Sequence, residues 1–209
     1  MPRRARENTL PSFAAALEAG ADGIELDVHA TFDGVVVAHH DPQLAGGLEI
    51  ARTSWPELER AAGSIGVAVP TLASVCELVA ERVELFVEIK GAGIEEQVLH
   101  VLGGHPGRHA IHSFDHALIA RLARRSDSPR LGLLFDEFVP SVSALLASHG
   151  ALDAWPHHSL VDAALVGEVR GVGGRVIAWT ANTRREIARL TALGVDGICT
   201  DDVTLISAS

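Results

Sequence analysis

Cysteine is scarce in this chain: Cys76 and Cys199 stand far apart and form no CxxC pair. Neither a disulfide framework nor a thiolate zinc site is therefore indicated, and both read as reduced, buried structural thiols. Basic clusters are missing too. The 17 lysines and arginines face 27 acidic residues, for a formal charge of −10, so the electrostatic footprint of a nucleic-acid binder is lacking. Against that field a phosphate-bearing ligand needs a local positive group or a metal. No apolar run approaches the roughly 20 residues of a membrane span. The opening MPRRARENTL has arginines but no hydrophobic region behind them, so it fails as a signal peptide. With Met1 as the true start, a cytoplasmic protein is expected.

What is present is a globular composition. In 209 residues with 47% apolar content and 20 glycines, the chain can bury one sizeable core, and a single domain over residues 1–209 is expected. Thr9 can cap a helix with apolar residues at Leu10, Phe13, Ala14 and Leu17, and Gly20 stops it. Trp55-Pro56-Glu57-Leu58 suggests a helix start, and Pro70-Thr71 opens another helix through about Ala80. From there strands and helices alternate, the signature of a parallel sheet with helical crossovers. Strands are expected at Leu85 to Lys90, Ala110 to Phe114, Leu131 to Phe135, Leu152 to Pro156, Arg175 to Ala181 and Gly197 to Thr200. The intervening helices are expected at Glu95 to Leu102, His116 to Arg124, Val139 to Ser148, Leu160 to Val172 and Arg184 to Leu193. Gly194-Val195-Asp196-Gly197-Ile198 echoes Gly20-Ala21-Asp22-Gly23-Ile24, as repeated units of one architecture do. With the strand at Glu25 the parallel set numbers seven. A closed (β/α)₈ barrel needs eight and typically about 250 residues. The expected fold is thus a TIM-type (β/α) barrel lacking its first strand, whose place is before Glu7.

Chemistry concentrates in GADGIELDVHATFDGVVVAHHDP, residues 20–42. Asp33-Gly34 between two strand-like runs signals a hairpin, and a two-residue loop pairs Asp27 with His40. Alternation then puts Glu25, Asp27, His29 and His40 on one face and Ile24, Leu26, Val28 and His39 on the other. Two carboxylates and an imidazole together suit oxygen-ligand metal binding with proton transfer nearby. A half-exposed hairpin whose polar face meets water fits the same pattern. In Leu85 to Lys90, Phe86, Glu88 and Lys90 share a face. Acids at the strand ends of a barrel are costly unless paired or metal-bound. Glu25, Asp27 and Glu88 would all reach the C-terminal mouth. Three carboxylates without cysteine favour a hard cation, Mg²⁺ or Ca²⁺, and Lys90 could meet an anionic oxygen. The alternative is a Glu88–Lys90 surface pair on an edge strand. Asn182 reads as a cap for the next helix, and His157 and His158 read as solvated loop histidines.

ENTLPSFAAALEAGADGIELDV, DGVVVAHHDP, PTLASV, FVEIK, HSFD, VIAWTAN and GVDGICTDD together resemble the glycerophosphodiester phosphodiesterase family, in order and over nearly the whole chain. The resemblance implies a barrel of the phospholipase-C-like phosphodiesterase type that hydrolyses glycerophosphodiesters to glycerol 3-phosphate and an alcohol with a divalent metal. It implies Glu25, Asp27 and Glu88 as metal ligands, His40 as a general acid/base, Lys90 as phosphate ligand and Trp179 in the substrate mouth. Glu7 belongs to the ENT motif beside the site. The family's opening strand, ending in His-Arg-Gly, would fall before Met1, and Arg3, Arg4 and Arg6 do not match it. A non-catalytic relative that binds ligand or acts as a scaffold is therefore the competing reading. Open barrel edges would also invite self-association.

Overall fold

The computed structural model describes residues 6–206, and the chain forms two compact units that divide between His109 and Ala110. Arg3 and Arg4 lie outside the described residues, as does the place expected for a strand before Glu7. Among the described residues no helix is long and apolar enough to cross a membrane.

In the first unit, α1 (Leu10–Glu18) leads into β1 (Gly23–Ala30) and β2 (Val36–Ala38). A short ribbon of β3 (Gln43–Leu44) and β4 (Leu48–Glu49) follows. Next come α2 (Trp55–Ser64), α3 (Leu72–Val79), β5 (Glu84–Ile89) and α4 (Glu95–Gly103). β1 pairs antiparallel with β2 and parallel with β5. The parallel register sets Ile24 beside Leu85, Leu26 beside Val87 and Val28 beside Ile89, and all six are buried. Burying such side chains stabilises by about 1.5–3 kcal/mol each. The opposite face is left to Glu25, Asp27, Phe86 and Glu88, and that alternation positions the acids.

The β1–β2 turn differs from the two-residue loop expected at Asp33-Gly34. Val28 pairs with Ala38, His29 with Val37 and Ala30 with Val36, so the loop is Phe32-Asp33-Gly34. Only Gly34 has positive φ, at 86°, and its N–H donates to the Thr31 carbonyl at 2.9 Å. The three-residue loop, a turn ending in a left-handed glycine, needs one positive φ where the two-residue loop needs two. Asp33 favours it by accepting from the Thr31 hydroxyl at 2.7 Å and from the Trp55 N–H at 2.8 Å. The register therefore moves by one residue, which reverses the expected facing: the His39 N–H donates to the Asp27 carbonyl at 3.0 Å, so His39, not His40, lies opposite Asp27.

In the second unit, strands and helices alternate as β6 (His109–Ser113), α5 (His116–Leu122), β7 (Arg130–Phe135), α6 (Val142–His149), β8 (Asp153–Pro156), α7 (Ala163–Gly171), β9 (Arg175–Ala178), α8 (Arg184–Leu193) and β10 (Gly197–Ile198). The order β10-β9-β8-β7-β6 is parallel throughout. With β1 and β5, the parallel strands among the described residues match the seven that the alternation predicts. Two helices start later than expected, each where a side chain caps it. Ser141 accepts from the Ala144 N–H and starts α6 at Val142. Asp162 accepts from the Leu165 N–H at 2.8 Å and starts α7 at Ala163, leaving His158–Leu160 as a 3₁₀ turn. Asn182 does not cap α8. Thr183 does, in a box with Glu186, while the Asn182 amide binds Asp201.

At the N-terminal ends of the second unit's strands, Asp153 is fully buried. It accepts from Arg130 Nε at 2.5 Å and from Arg175 Nε and Nη2 at 3.0 and 2.6 Å, which ties β7, β8 and β9 together. Removing one partner of a buried ion pair leaves charge uncompensated. Asp153→Ala is therefore expected to destabilise the chain by ~3 kcal/mol in chemical denaturation. A loss below about 1 kcal/mol, the scale of an exposed pair, would mean that the triad contributes little.

Candidate active site

The parallel register of β1 and β5 places Asp27 directly beside Glu88. Both are buried, at 7% and 8% exposure. Adjacent buried carboxylates repel and lose hydration, so each needs a cationic or hydrogen-bonding partner. Lys90 supplies one. Its ammonium lies 2.8 Å from Glu88 Oε1 and 3.3 Å from Asp27 Oδ1. Burial pushes the Lys90 ammonium down, but its bond to Glu88 and the charges of Asp27 and Glu88 outweigh that and hold it above its ordinary value. The Glu88–Lys90 pair is thus a part-buried bridge between two strands rather than a pair on a solvated edge.

Glu25 lies two residues before Asp27 on the same face, and one of its oxygens is within 4.8 Å of one from Glu88. Burial, then the charge of Asp27, pushes the Glu25 carboxyl well above the usual carboxylate range, while Lys90 and His40 oppose the rise. Glu7 is exposed and adds the smallest of the itemised effects on Glu25. Carboxylates crowded to this degree are a donor set that a hard divalent cation would neutralise.

His40 enters this neighbourhood by a route other than strand facing. β2 ends at Ala38, and beyond it the chain leaves strand alternation. The buried His29 of β1 holds the His40 carbonyl through its Nε2 at 3.2 Å. The His40 side chain is 55% exposed, and its Nδ1 lies 2.8 Å from Asp41 Oδ1. That bond, with help from the charge of Asp27, raises the His40 pKa against burial and Lys90. Asp41 thereby orients one ring nitrogen and leaves Nε2 for other chemistry. Beside His39 and Asp41 opens a cleft of about 400 Å³, also lined by Arg6, Pro42, Gln43 and Leu44.

Trp179 belongs to the second unit. Its indole N–H donates to the Trp155 carbonyl at 2.8 Å, and its ring meets Phe114 and His157 edge-on at 5.5 and 5.3 Å. His157, half-buried, packs against that ring. Trp155 is itself buried and stacks on His112 at 4.0 Å.

One residue at the site was not singled out by sequence reasoning. Asn8 donates its amide to Asp27 Oδ2 at 2.9 Å and accepts the Asp27 N–H at 3.1 Å. It adopts φ 52°, a left-handed conformation that asparagine tolerates better than most residues. Its place in ENT, directly before the capping Thr9, was the available signal.

Comparison with known proteins follows the same lines. The family model for the glycerophosphoryl diester phosphodiesterase family matches residues 1–205. A glycerophosphodiester phosphodiesterase of Bacillus altitudinis is 30% identical over 218 residues, covering 93% of this chain and 89% of that protein. Among solved structures, a phosphodiesterase of this kind from Silicibacter pomeroyi superposes with a TM-score of 0.85 at 27% identity, covering 95% of this chain and 86% of that one. A phosphodiesterase from Oleispira antarctica superposes with a TM-score of 0.84 at 24% identity, covering 97% and 90%. The fold class is accordingly the TIM-type barrel of these enzymes. With carboxylates, an ammonium and an imidazole gathered around β1 and β5, and a family match that runs from residue 1 to residue 205, the chain belongs to the glycerophosphoryl diester phosphodiesterase family and is a phosphoric diester hydrolase.

Proposed function

We propose that this chain hydrolyses glycerophosphodiesters to glycerol 3-phosphate and an alcohol, with a divalent cation held by Glu25, Asp27 and Glu88. The observation that carries the proposal is the Asp27–Lys90–Glu88 bridge, with Glu25 beside it. The Oleispira antarctica phosphodiesterase was solved in complex with the product sn-glycerol-3-phosphate, which supports this substrate class. The family match, unbroken across the division between the two units, supports reading the chain as a single catalytic domain.

Hydrolysis forms one phosphorus–oxygen bond to water and breaks another to the departing alcohol. A proton must leave the attacking water and one must reach the leaving oxygen. His40 performs one of these transfers through the nitrogen that Asp41 leaves available. Lys90, kept cationic by its two carboxylates, holds a non-bridging phosphate oxygen and fixes the phosphorus relative to His40. The cation, when bound, supplies positive charge to a second non-bridging oxygen as negative charge grows there. Trp179, whose indole N–H is pinned by the Trp155 carbonyl, is assigned to substrate binding by the family resemblance.

Release of glycerol 3-phosphate from glycerophosphodiesters tests the reading. His40→Ala is expected to lower kcat by roughly 10² to 10⁴, the range for one general acid/base group; unchanged rates would remove His40 from the chemistry. Asp41 is the largest cause of the raised His40 pKa. Asp41→Asn is therefore expected to shift the His40 limb of the pH–rate profile to lower pH, and a limb that stays in place would detach that ionisation from His40. Glu88→Gln removes a ligand charge and half of the Lys90 bridge. It is expected to weaken Mg²⁺ or Ca²⁺ binding in calorimetry and to leave activity that added cation restores only in part. Full activity in a chelator, for the unmodified chain, would favour a metal-free reaction.

A further inference from the structure

The bond between Asn8 and Asp27 has a counterpart elsewhere in the chain. Asn182 Nδ2 donates to Asp201 Oδ2 at 2.7 Å, and the Asp201 N–H donates to Asn182 Oδ1 at 2.9 Å. At the first pair the corresponding distances are 2.9 and 3.1 Å. Each pair spans 19 residues. Each asparagine is followed by a threonine that caps a helix, Thr9 for α1 and Thr183 for α8. Each helix ends near a glycine of positive φ, Gly20 at 85° and Gly194 at 75°. After that glycine the chain turns into a strand, and the aspartate follows. The Gly-x-Asp-Gly-Ile echo is thus part of a longer repeated unit in which an asparagine before the helix clamps the aspartate beyond it.

The two clamps differ in what the aspartate faces. Asp27 stands beside Glu88, and its second oxygen, Oδ1, lies 3.3 Å from Lys90 Nζ. Asn8 holds Oδ2. The plane of the carboxylate is therefore fixed, with one oxygen bonded to the amide and the other directed at the charged cluster. Mg²⁺ demands near-ideal octahedral geometry and takes one oxygen from each carboxylate, whereas Ca²⁺ also accepts both oxygens of one carboxylate at longer range. Hydrogen bonds that orient a ligand carboxylate are part of a metal site's affinity and geometry.

From this geometry we infer that Asn8 is a positioning residue: by clamping Oδ2 it makes Asp27 a one-oxygen ligand, which favours Mg²⁺ over Ca²⁺. The inference rests on the proposal that Glu25, Asp27 and Glu88 hold a divalent cation. The shared clamp is a device of the fold, and its chemical consequence arises only at Asp27.

Calorimetric titration of the full chain with Mg²⁺ and with Ca²⁺, without substrate, tests this. Asn8→Gly removes the amide without straining the backbone, because φ 52° costs glycine nothing. Asn182→Gly removes the same kind of clamp from the second unit and serves as a structural control, although Asn182 has no positive φ and also accepts from the Thr200 hydroxyl. Asn8→Gly is expected to weaken Mg²⁺ binding roughly 10- to 100-fold and Ca²⁺ binding less, while Asn182→Gly leaves the ratio of the two affinities within about twofold of the unmodified chain. Asn8→Ala also loses the donor and adds no charge, at the cost of some left-handed backbone strain, so the same rise in Ca²⁺ preference is expected and is read even if Asn8→Gly folds poorly. A ratio unchanged in both Asn8 variants, or changed equally in Asn182→Gly, overturns the inference and leaves the metal site standing. An unmodified chain that binds neither ion overturns the metal site first, and the inference with it.

Discussion

Two buried carboxylates stand side by side on neighbouring parallel strands, and the lysine between them makes that tolerable. Asp27 and Glu88 are register partners, so any pairing of β1 with β5 that buries Ile24, Leu26 and Val28 against Leu85, Val87 and Ile89 also brings the acids together on the opposite face. The core and the site are two faces of one register. A slip of one residue would send the acids into the apolar side and the apolar residues into the site, at a cost far above the net stability of a domain. The hydrophobic face therefore holds the charged face in place, and Lys90 offsets part of the repulsion that results.

Much of this was legible because strand alternation is a strong signal. Ile-Glu-Leu-Asp-Val and Leu-Phe-Val-Glu-Ile-Lys alternate so regularly that the shared face of Glu25 and Asp27, and that of Glu88 and Lys90, follow from counting. The helix at Arg184–Leu193 follows as directly. The hairpin register did not, because two loops differing by one residue both suit Asp-Gly. The choice is made by Asp33 reaching the Trp55 N–H, 22 residues on, a contact no local pattern contains. The facing argument that separated His40 from His39 fails with it. His40 is held instead by the His29 side chain on its carbonyl and by Asp41 on its ring. Asn8 and Asn182 were obscured for a different reason. Asn182, just before a helix, reads as a cap, yet Thr183 takes that role; at Asn8 the cap falls to Thr9 as expected, and each asparagine binds an aspartate 19 residues on, a contact that no local pattern contains.

The local charge balance bears on what the site needs. Asp27 and Glu88 pair with the ammonium of Lys90 and Glu25 feels the same charge, so the cluster, if fully ionised, keeps an excess of two negative charges inside a chain whose formal charge is already −10. A phosphodiester, itself an anion, is repelled by such a cluster, and Lys90 cannot reverse this because its charge is already shared by two carboxylates. The crowding is visible in Glu25, whose carboxyl is driven well above its ordinary range by burial and by Asp27. A divalent cation held there as proposed would offset that excess and ease the repulsion that raises Glu25. Charge at a metal site reverses the local electrostatics in this way. Under the proposed cation site, substrate binding would then depend on the cation as much as the chemical step does: the three carboxylates that repel a phosphate when alone would, once neutralised, let it approach Lys90.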